Sequence, residues 1–359
     1  MKKTLVAIAA LSAISAFAQS SVTLGGTVDV RLAIGNGDVS NKTQLSNNGI
    51  ASSQFRFVGV EDLGGGLKAG FHLEAGYSPD DGTGAATSVN NQAVGAFNPA
   101  TGANGLVRPG TQGFTFNRRS TLSLMGGWGE LRLGRDYTPH FWNHTFYDPF
   151  GTNGVASSMA LTGSAGGATT VRASNSIGYL SPNFGGFSGQ IQTYFGENNS
   201  NAAAPAGSNA GSGSSLRVGY VQGPINVGLG YGRTTTSTST DVTTTNIGGS
   251  FNLGFMSIMG LYNVDANTGF ADVKGALIGV TAPIGSGTAK AAFSQTDNGV
   301  NGVAKQFAVG YVYDLSKRSS VYATLATVNN SNTAAALNGS TTSVGGNSTG
   351  FDLGVKHSF

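Results

Sequence analysis

The chain has 359 residues, 57 of them glycine and none cysteine, with only 10% charged residues and a formal net charge of +3. The near-neutral balance gives no basis for nucleic-acid binding, and the missing cysteines exclude disulfides and thiolate metal sites. Glycine without a three-residue period excludes a collagen-type helix.

The N-terminus reads as a secretory signal: Lys2 and Lys3, an apolar run from Leu5 to Ile14, then Ala16-Phe17-Ala18 as a small-residue cleavage site. The run is too short for a spanning helix, which needs about 20 apolar residues. Residues 1–18 are assigned to the signal and 19–359 to one mature domain, whose charge falls to +1 once Lys2 and Lys3 are subtracted from +3.

The first mature segment, 21–34, alternates. Val22, Leu24, Val28, Val30, Leu32 and Ile34 share one parity, and Thr23, Thr27, Asp29 and Arg31 share the other. With a two-residue period these are opposite faces of a strand, which points Asp29 and Arg31 into an aqueous interior. Residues 35–49 read as a polar excursion. The same rule then recurs, giving sixteen segments at about 21–34, 50–60, 66–78, 112–125, 129–137, 171–181, 186–197, 213–222, 224–235, 243–253, 255–265, 270–281, 286–296, 302–314, 319–329 and 347–359. Short Gly-rich or Pro-rich turns alternate with longer polar connections, which places the short turns and both termini in the periplasm and the long loops outside. Tyrosines near segment ends, including Tyr77, Tyr137, Tyr194, Tyr220, Tyr231, Tyr262, Tyr311 and Tyr313, suit interfacial girdles.

An even number of alternating segments of about ten residues is the pattern of a transmembrane β-barrel. The expected fold is all-β: a 16-stranded antiparallel barrel. A ring of that size is too wide for side chains to fill, so its interior is a channel.

Two stretches break the alternation. Residues 79–111 form a long Asn/Gly/Ala/Pro loop. Residues 138–170 begin Thr-Pro-His-Phe-Trp and contain Asp148-Pro149, and their prolines and aromatics suit neither a central strand nor a wet loop. This second stretch is expected to fold against the inside of the wall.

Catalytic motifs are missing: there is no zincin, nucleophile-elbow, phosphate-loop or EF-hand pattern, so neither an enzyme nor a cofactor is expected. His140 and His144 form the one close histidine pair and could share a ligand only on a helix. By parity, Arg31, Arg56, Lys68, Arg119, Arg132 and Arg172 point inward along the first six segments, with Glu74 among them. Asp136 and Asp148 are the acids placed to oppose them, Asp148 from the inserted loop. Opposed charges would make a transverse field, and surplus cations would favour anions. The alternative role for these arginines is pairing with Asp29, Glu74 and Glu130 within the wall. Parity turns Arg118 and Arg135 outward, whereas a strand end or a bulge would re-aim them.

Several motifs together resemble the Gram-negative general porins of the β-proteobacterial type: SVTLGGTVD, EDLGGGLKAGFHLE, NRRSTLSLMGGWGELRLGRDYTP, RASNSIGYLSPNFGGFSG and the ending GVKHSF. The resemblance spans nearly the whole mature chain. It implies a homotrimer in the outer membrane, surrounded by outer-membrane lipid and lipopolysaccharide, through which small hydrophilic solutes and inorganic ions diffuse passively. It further implies that 138–170 is a constriction loop, that 79–111 helps subunits associate, that Arg56, Arg119 and Arg172 form a basic wall, and that Phe359 is read by the outer-membrane assembly machinery. The chain departs from the family pattern at Gln54 and Val58, where basic residues are expected, and carries Arg56 on the same face instead. The basic ladder is thereby displaced, and a weak to moderate anion preference is expected. A substrate-specific channel and a plugged, non-conducting structural or adhesin barrel are the other readings.

Overall fold

Alternation of apolar with small or polar residues sets each wall strand, and the strands appear where the parity changes predict them. The protein is seen in a computed structural model that describes residues 21–85, 87–88, 90–92, 97–98, 103–104, 114–159, 167–202 and 207–359. The signal assigned to 1–18, much of 79–111, and 160–166 within 138–170 lie outside the described residues.

In chain order the elements are β1 (Ser21–Gly37), β2 (Lys42–Asn47), β3 (Gln54–Gly64), β4 (Leu67–Gly76), the two-residue β5 (Phe97–Asn98) and β6 (Ala103–Asn104), β7 (Arg119–Gly126), β8 (Gly129–Tyr137), helix α1 (Phe141–Phe146), β9 (Arg172–Leu180), β10 (Phe187–Tyr194), β11 (Gly213–Gln222), β12 (Ile225–Thr235), β13 (Asp241–Asn252), β14 (Ser257–Asn267), β15 (Val273–Ile284), β16 (Gly287–Asp297), β17 (Val303–Asp314), β18 (Ser319–Ser331) and β19 (Asn347–Ser358). Apart from the β5–β6 pair, all strands join one antiparallel sheet. It closes where β1 pairs with β19, from Thr27 opposite Ser358 to Gly37 opposite Ser348.

The sheet has 17 strands but sixteen wall positions, because β2 and β3 lie end to end beside β1. Ser21–Thr27 of β1 pairs with β3, and Val30–Gly35 pairs with β2. This corrects the reading of 35–49 as a loop: Lys42–Asn47 is wall, and it escaped notice because Leu45 is its one large apolar residue. Between the two pieces, residues 48–53 turn out of the sheet. Asn48 takes a positive φ of 59°, and its side-chain oxygen accepts the Ser53 N–H at 2.6 Å. The fully buried Asp29 accepts the N–H groups of Ile50 and Ala51 at 2.8 Å each, and the Tyr322 hydroxyl donates to its other oxygen.

Burial is inverted relative to a water-soluble protein. Leu229, Ile247, Ile278, Phe307 and Leu353 are exposed, while Asn246, Asn263, Thr296 and Gln306 are at most 2% exposed. Exposed apolar faces belong against lipid, and the ring of paired strands leaves no backbone edge there. Near strand ends Trp128 stacks on Tyr179 at 6.3 Å, and Tyr231, Tyr262, Tyr311 and Tyr313 are exposed. Two of the expected girdle tyrosines depart from it. Tyr194 is 1% exposed and bonds Thr234 at 2.8 Å, and Tyr137 lines an internal cavity.

The interior apolar cluster is formed where the segment after β8 meets the wall. Tyr147, Phe150, Val155 and Ala156 pack on Leu261, Leu277 and the small residues Ala292, Ala304, Ala308 and Ala326. Glycines complete this bed. A Cβ at Gly228 would meet Asn143 at 2.6 Å, one at Gly279 would meet Pro149 at 2.5 Å, and one at Gly310 would meet Phe150 at 3.0 Å. At Gly248 it would run into the Tyr147 ring. The glycine excess therefore has a steric cause: a wall without side chains on this face lets a second layer of chain lie directly on it.

Gly248→Leu should displace Tyr147 and lower stability by about 1–3 kcal/mol, as overpacking does. Gly260→Ala, whose nearest neighbour would be the Leu277 carbonyl at an ordinary 3.6 Å, should be nearly neutral. Thermal unfolding of the two purified variants in detergent checks this, and equal midpoints would contradict it.

Candidate constriction site

Residues 138–159 cross the inner face of β11 to β19, held by a chain of side-chain bonds. His140 Nδ1 lies 2.8 Å from Ser215 Oγ, and the Asn143 amide donates to Asn246 Oδ1 at 2.7 Å. Arg217, 7% exposed, donates to Asn143 Oδ1 at 2.7 Å and to the Tyr147 hydroxyl at 3.3 Å, with its guanidinium 5.1 Å from the Phe146 ring. Further along, the Gln306 amide donates to the Val155 carbonyl at 2.9 Å, and the Val155 N–H donates to Asp352 at 2.8 Å. The far side of the segment meets the inturned 48–53 stretch: the Gly154 N–H donates to the Asn48 carbonyl at 2.9 Å, and the Ser52 hydroxyl donates to Asn153 at 3.0 Å.

Between this segment and the β1–β9 wall lies a cavity of about 720 Å³. Its wall side carries Arg31, Arg118, Arg172, Tyr137 and Gln54, and its loop side carries Phe141, Trp142, Thr145 and residues 151–154. Among the described residues, three guanidinium groups line it and no carboxylate does. Arg31 pairs with Asp352 and Arg118 with Glu74 at 2.6 Å, whereas Arg172 has no carboxylate within ion-pair distance among the described residues. Arg172 donates instead to the Tyr137 hydroxyl at 2.6 Å and lies 4.2 Å from that ring's centre.

The residues singled out by parity fall into separate groups. Arg31 and Arg172 line the cavity. Arg119 and Arg132 converge on Asp136, at 3.0 and 2.6 Å, and Arg132 also pairs with Glu130 at 2.8 Å. Glu74 bonds Arg118 and His72. Arg56 lies one two-residue step beyond Gln54, over Gly25, and Lys68 sits opposite Asp62 beside the β3–β4 turn. Phe359 pairs its backbone N–H and C=O with Gly26, each at 3.1 Å.

Asp148 is the main correction. It does not face the arginines: it is 4% exposed and accepts the N–H and hydroxyl of Ser158 at 2.9 and 2.7 Å and the Phe150 N–H at 2.8 Å. It thus serves as an internal staple of its own loop, and burial pushes its carboxyl up from the ordinary range, with Lys290 as its cationic neighbour. The cavity accordingly has a one-signed lining in place of the expected opposed charges. Arg118 and Arg135 both leave the outward direction that parity gives them. A register shift between Gly134 and Asp136, with Gly134 at φ 118°, interrupts the alternation of β8. Arg118, at the entry to β7, faces the cavity. Arg135 donates to the carbonyls of Asn117 at 2.6 Å and Ser88 at 3.3 Å and to Ser174 Oγ at 2.7 Å.

Sequence reasoning missed Arg217, Asn143, Asn246, Asn263 and Asp352, which fix the inserted segment. A signal existed for the strand residues, since amides and charges at inward parity deep in a wall need partners. Their partner segment has no period to read. His140 and His144 do sit one helical turn apart, but each has its own wall partner, Ser215 and Asn263. No group of three metal-ligating side chains occurs among the described residues.

Comparison with known proteins places these features in context. Residues 4–333 match the family model described as Gram-negative porin. The chain is 34% identical to outer membrane porin protein 32 of Delftia acidovorans over the full length of both. It is 27% identical to an outer membrane porin protein of Bordetella pertussis, covering 90% of this chain and 93% of that one. Among solved structures, an anion-selective porin from Comamonas acidovorans superposes with a TM-score of 0.80 at 32% identity, covering 95% of this chain and all of that one.

The anchoring of the inserted segment is sensitive to acid. Burial, reinforced by His144, pushes His140 down to about 3, and burial pushes His144 down to about 4. Unfolded histidine binds its proton near 6.5, so the folded state has its full stability above that value and loses it as pH falls toward the folded values. The histidine contribution to the unfolding midpoint should therefore fall between roughly pH 7 and pH 4, opposed in part by Asp148, whose raised carboxyl stabilises the fold as it takes up a proton. His144→Gln, which keeps a donor toward Asn263, should flatten part of this slope, and an unchanged slope in the variant would refute the assignment.

Proposed function

The chain belongs to the Gram-negative porin family, and from that premise we propose that it is an anion-preferring diffusion pore whose narrowest zone lies between residues 138–170 and the arginines of β1 to β9. It is an outer-membrane channel and performs no chemical step. Small hydrophilic solutes and ions cross it down their gradients, filtered by aperture and by field.

The observation that carries the anion preference is the cavity lining: Arg31, Arg118 and Arg172, with no carboxylate among the described residues. Two of these guanidiniums are neutralised by Asp352 and Glu74, so the unbalanced charge is close to that of Arg172 alone. One charge acting at about 4 Å through water amounts to about 1 kcal/mol, roughly a fivefold bias, and salt screens it. A modest preference follows, in line with the anion-selective porin of similar structure. Arg56 and Lys68 lie one and several steps toward the short-turn end, opposite Glu74 and Asp62, and the Arg119–Arg132–Asp136 cluster with Glu130 is nearly self-compensated.

The remaining assignments form part of the same reading. Residues 1–18 direct export and 19–359 form the barrel. Three copies associate, with 79–111 contributing to their contact. Outer-membrane lipid and lipopolysaccharide surround the exposed apolar faces, and Phe359 is the signal for the assembly machinery.

Reversal potentials across a potassium chloride gradient test the reading. The wild type should favour chloride. Arg172→Glu should shift the permeability ratio several-fold toward potassium, and Arg56→Glu less, since it lies farther from the cavity. A cation-selective wild type, or an unchanged potential in Arg172→Glu, would overturn it.

A further inference from the structure

The two sides of the cavity differ in chemistry as well as in charge. On the loop side, Trp142 and Phe146 occupy successive turns of α1, with rings stacked at 5.6 Å and 17°. Phe146 is 44% exposed, and Trp142 with Thr145 lines the cavity. Tyr137 continues this series from the wall, its ring 4.8 Å from that of Trp142 and tilted by 44°. Aromatic surface left open in an otherwise polar aqueous interior calls for an explanation, because loop aromatics can be buried here, as Tyr147 and Phe150 are.

The polar groups beside these rings are arranged around one atom. The Tyr137 hydroxyl oxygen accepts from Arg118 at 2.5 Å and from Arg172 at 2.6 Å. Both lone pairs of the phenol are then used, so its proton points away from the guanidiniums, and no acceptor for that proton occurs among the described residues. Arg172 adds a guanidinium without a carboxylate partner. A donor array of this kind, two guanidiniums and a phenol O–H, suits a carboxylate, which takes a guanidinium and a hydroxyl on its separate oxygens.

We infer that the Trp142–Tyr137–Arg172 corner is a subsite for planar aromatic carboxylates of the benzoate class, with the ring against Trp142 and the carboxylate on Arg172 and the Tyr137 hydroxyl. This rests on the anion-preferring reading above and refines it by naming a solute class. An aliphatic carboxylate of the same size satisfies the donors and covers the apolar area, but it lacks the ring–ring term, which is worth roughly 2- to 10-fold in affinity. A neutral aromatic satisfies the ring face and leaves the donors unmet. The site therefore retards the passage of one class of solute without closing the pore to others.

The test uses the full-length protein in planar bilayers, with benzoate and cyclohexanecarboxylate added in turn and the duration of single-channel current block recorded. Benzoate should stay bound roughly 2- to 10-fold longer, and Trp142→Leu, which keeps apolar volume without the ring, should bring the ratio close to one. Equal durations for the two acids in the wild type would overturn the subsite, as would an undiminished ratio in the variant. If the variant does not insert, the wild-type pair of solutes decides alone. Chloride reversal potentials on the same membranes separate the two claims. Retained chloride preference with equal durations removes only the aromatic subsite, whereas lost chloride preference removes the anion-preferring reading and the subsite with it.

Discussion

The contact on which the whole structure depends is the ladder between β1 and β19. Backbone polar groups at membrane depth have no water to bond, and a sheet satisfies them only by closing on itself. Closure at sixteen positions fixes a diameter that wall side chains cannot fill. The inward faces are accordingly polar and small, and the protein narrows its interior by laying a second layer of chain over them.

That second layer is possible because of what the wall lacks. Gly228, Gly248, Gly279 and Gly310 leave room where Asn143, Tyr147, Pro149 and Phe150 rest. Inward amides, Asn246 and Asn263 among them, offer bonds in place of bulk. The inserted segment spends its own polar groups on this contact, including Asp148, whose carboxylate closes a turn of the loop. What faces the remaining cavity is then aromatic or uncharged on the loop side and cationic on the wall side. The one-signed lining is a by-product of how the loop is anchored.

The strands are legible because parity is a property of each segment alone: sixteen wall positions appear near the expected segments, although the one expected at 112–125 begins as a strand only at Arg119. The one missed wall piece, Lys42–Asn47, has too little apolar content to show a period. Inward parity correctly turned Arg31, Arg172 and Asp29 to the interior but said nothing about partners, which come from strands distant in the chain. Arg31 finds Asp352 more than three hundred residues away, and no spacing rule anticipates that. Asp148 follows the same rule: in a segment without a period its direction is set by Ser158 and Phe150, contacts that its position near an arginine wall does not reveal. Tyr137 looked like a girdle residue by its position at a strand end, and the β8 register shift places it beside Arg118 and Arg172.

The central claim is that Arg172, the one cavity arginine without a carboxylate partner among the described residues, sets the charge of the narrow zone. Anomalous diffraction from crystals of the protein soaked separately in bromide and rubidium salts tests it directly. The account predicts bromide density against Arg172 and Arg118 with no rubidium in the same cavity. Rubidium bound there, or a cavity free of bromide, would contradict it.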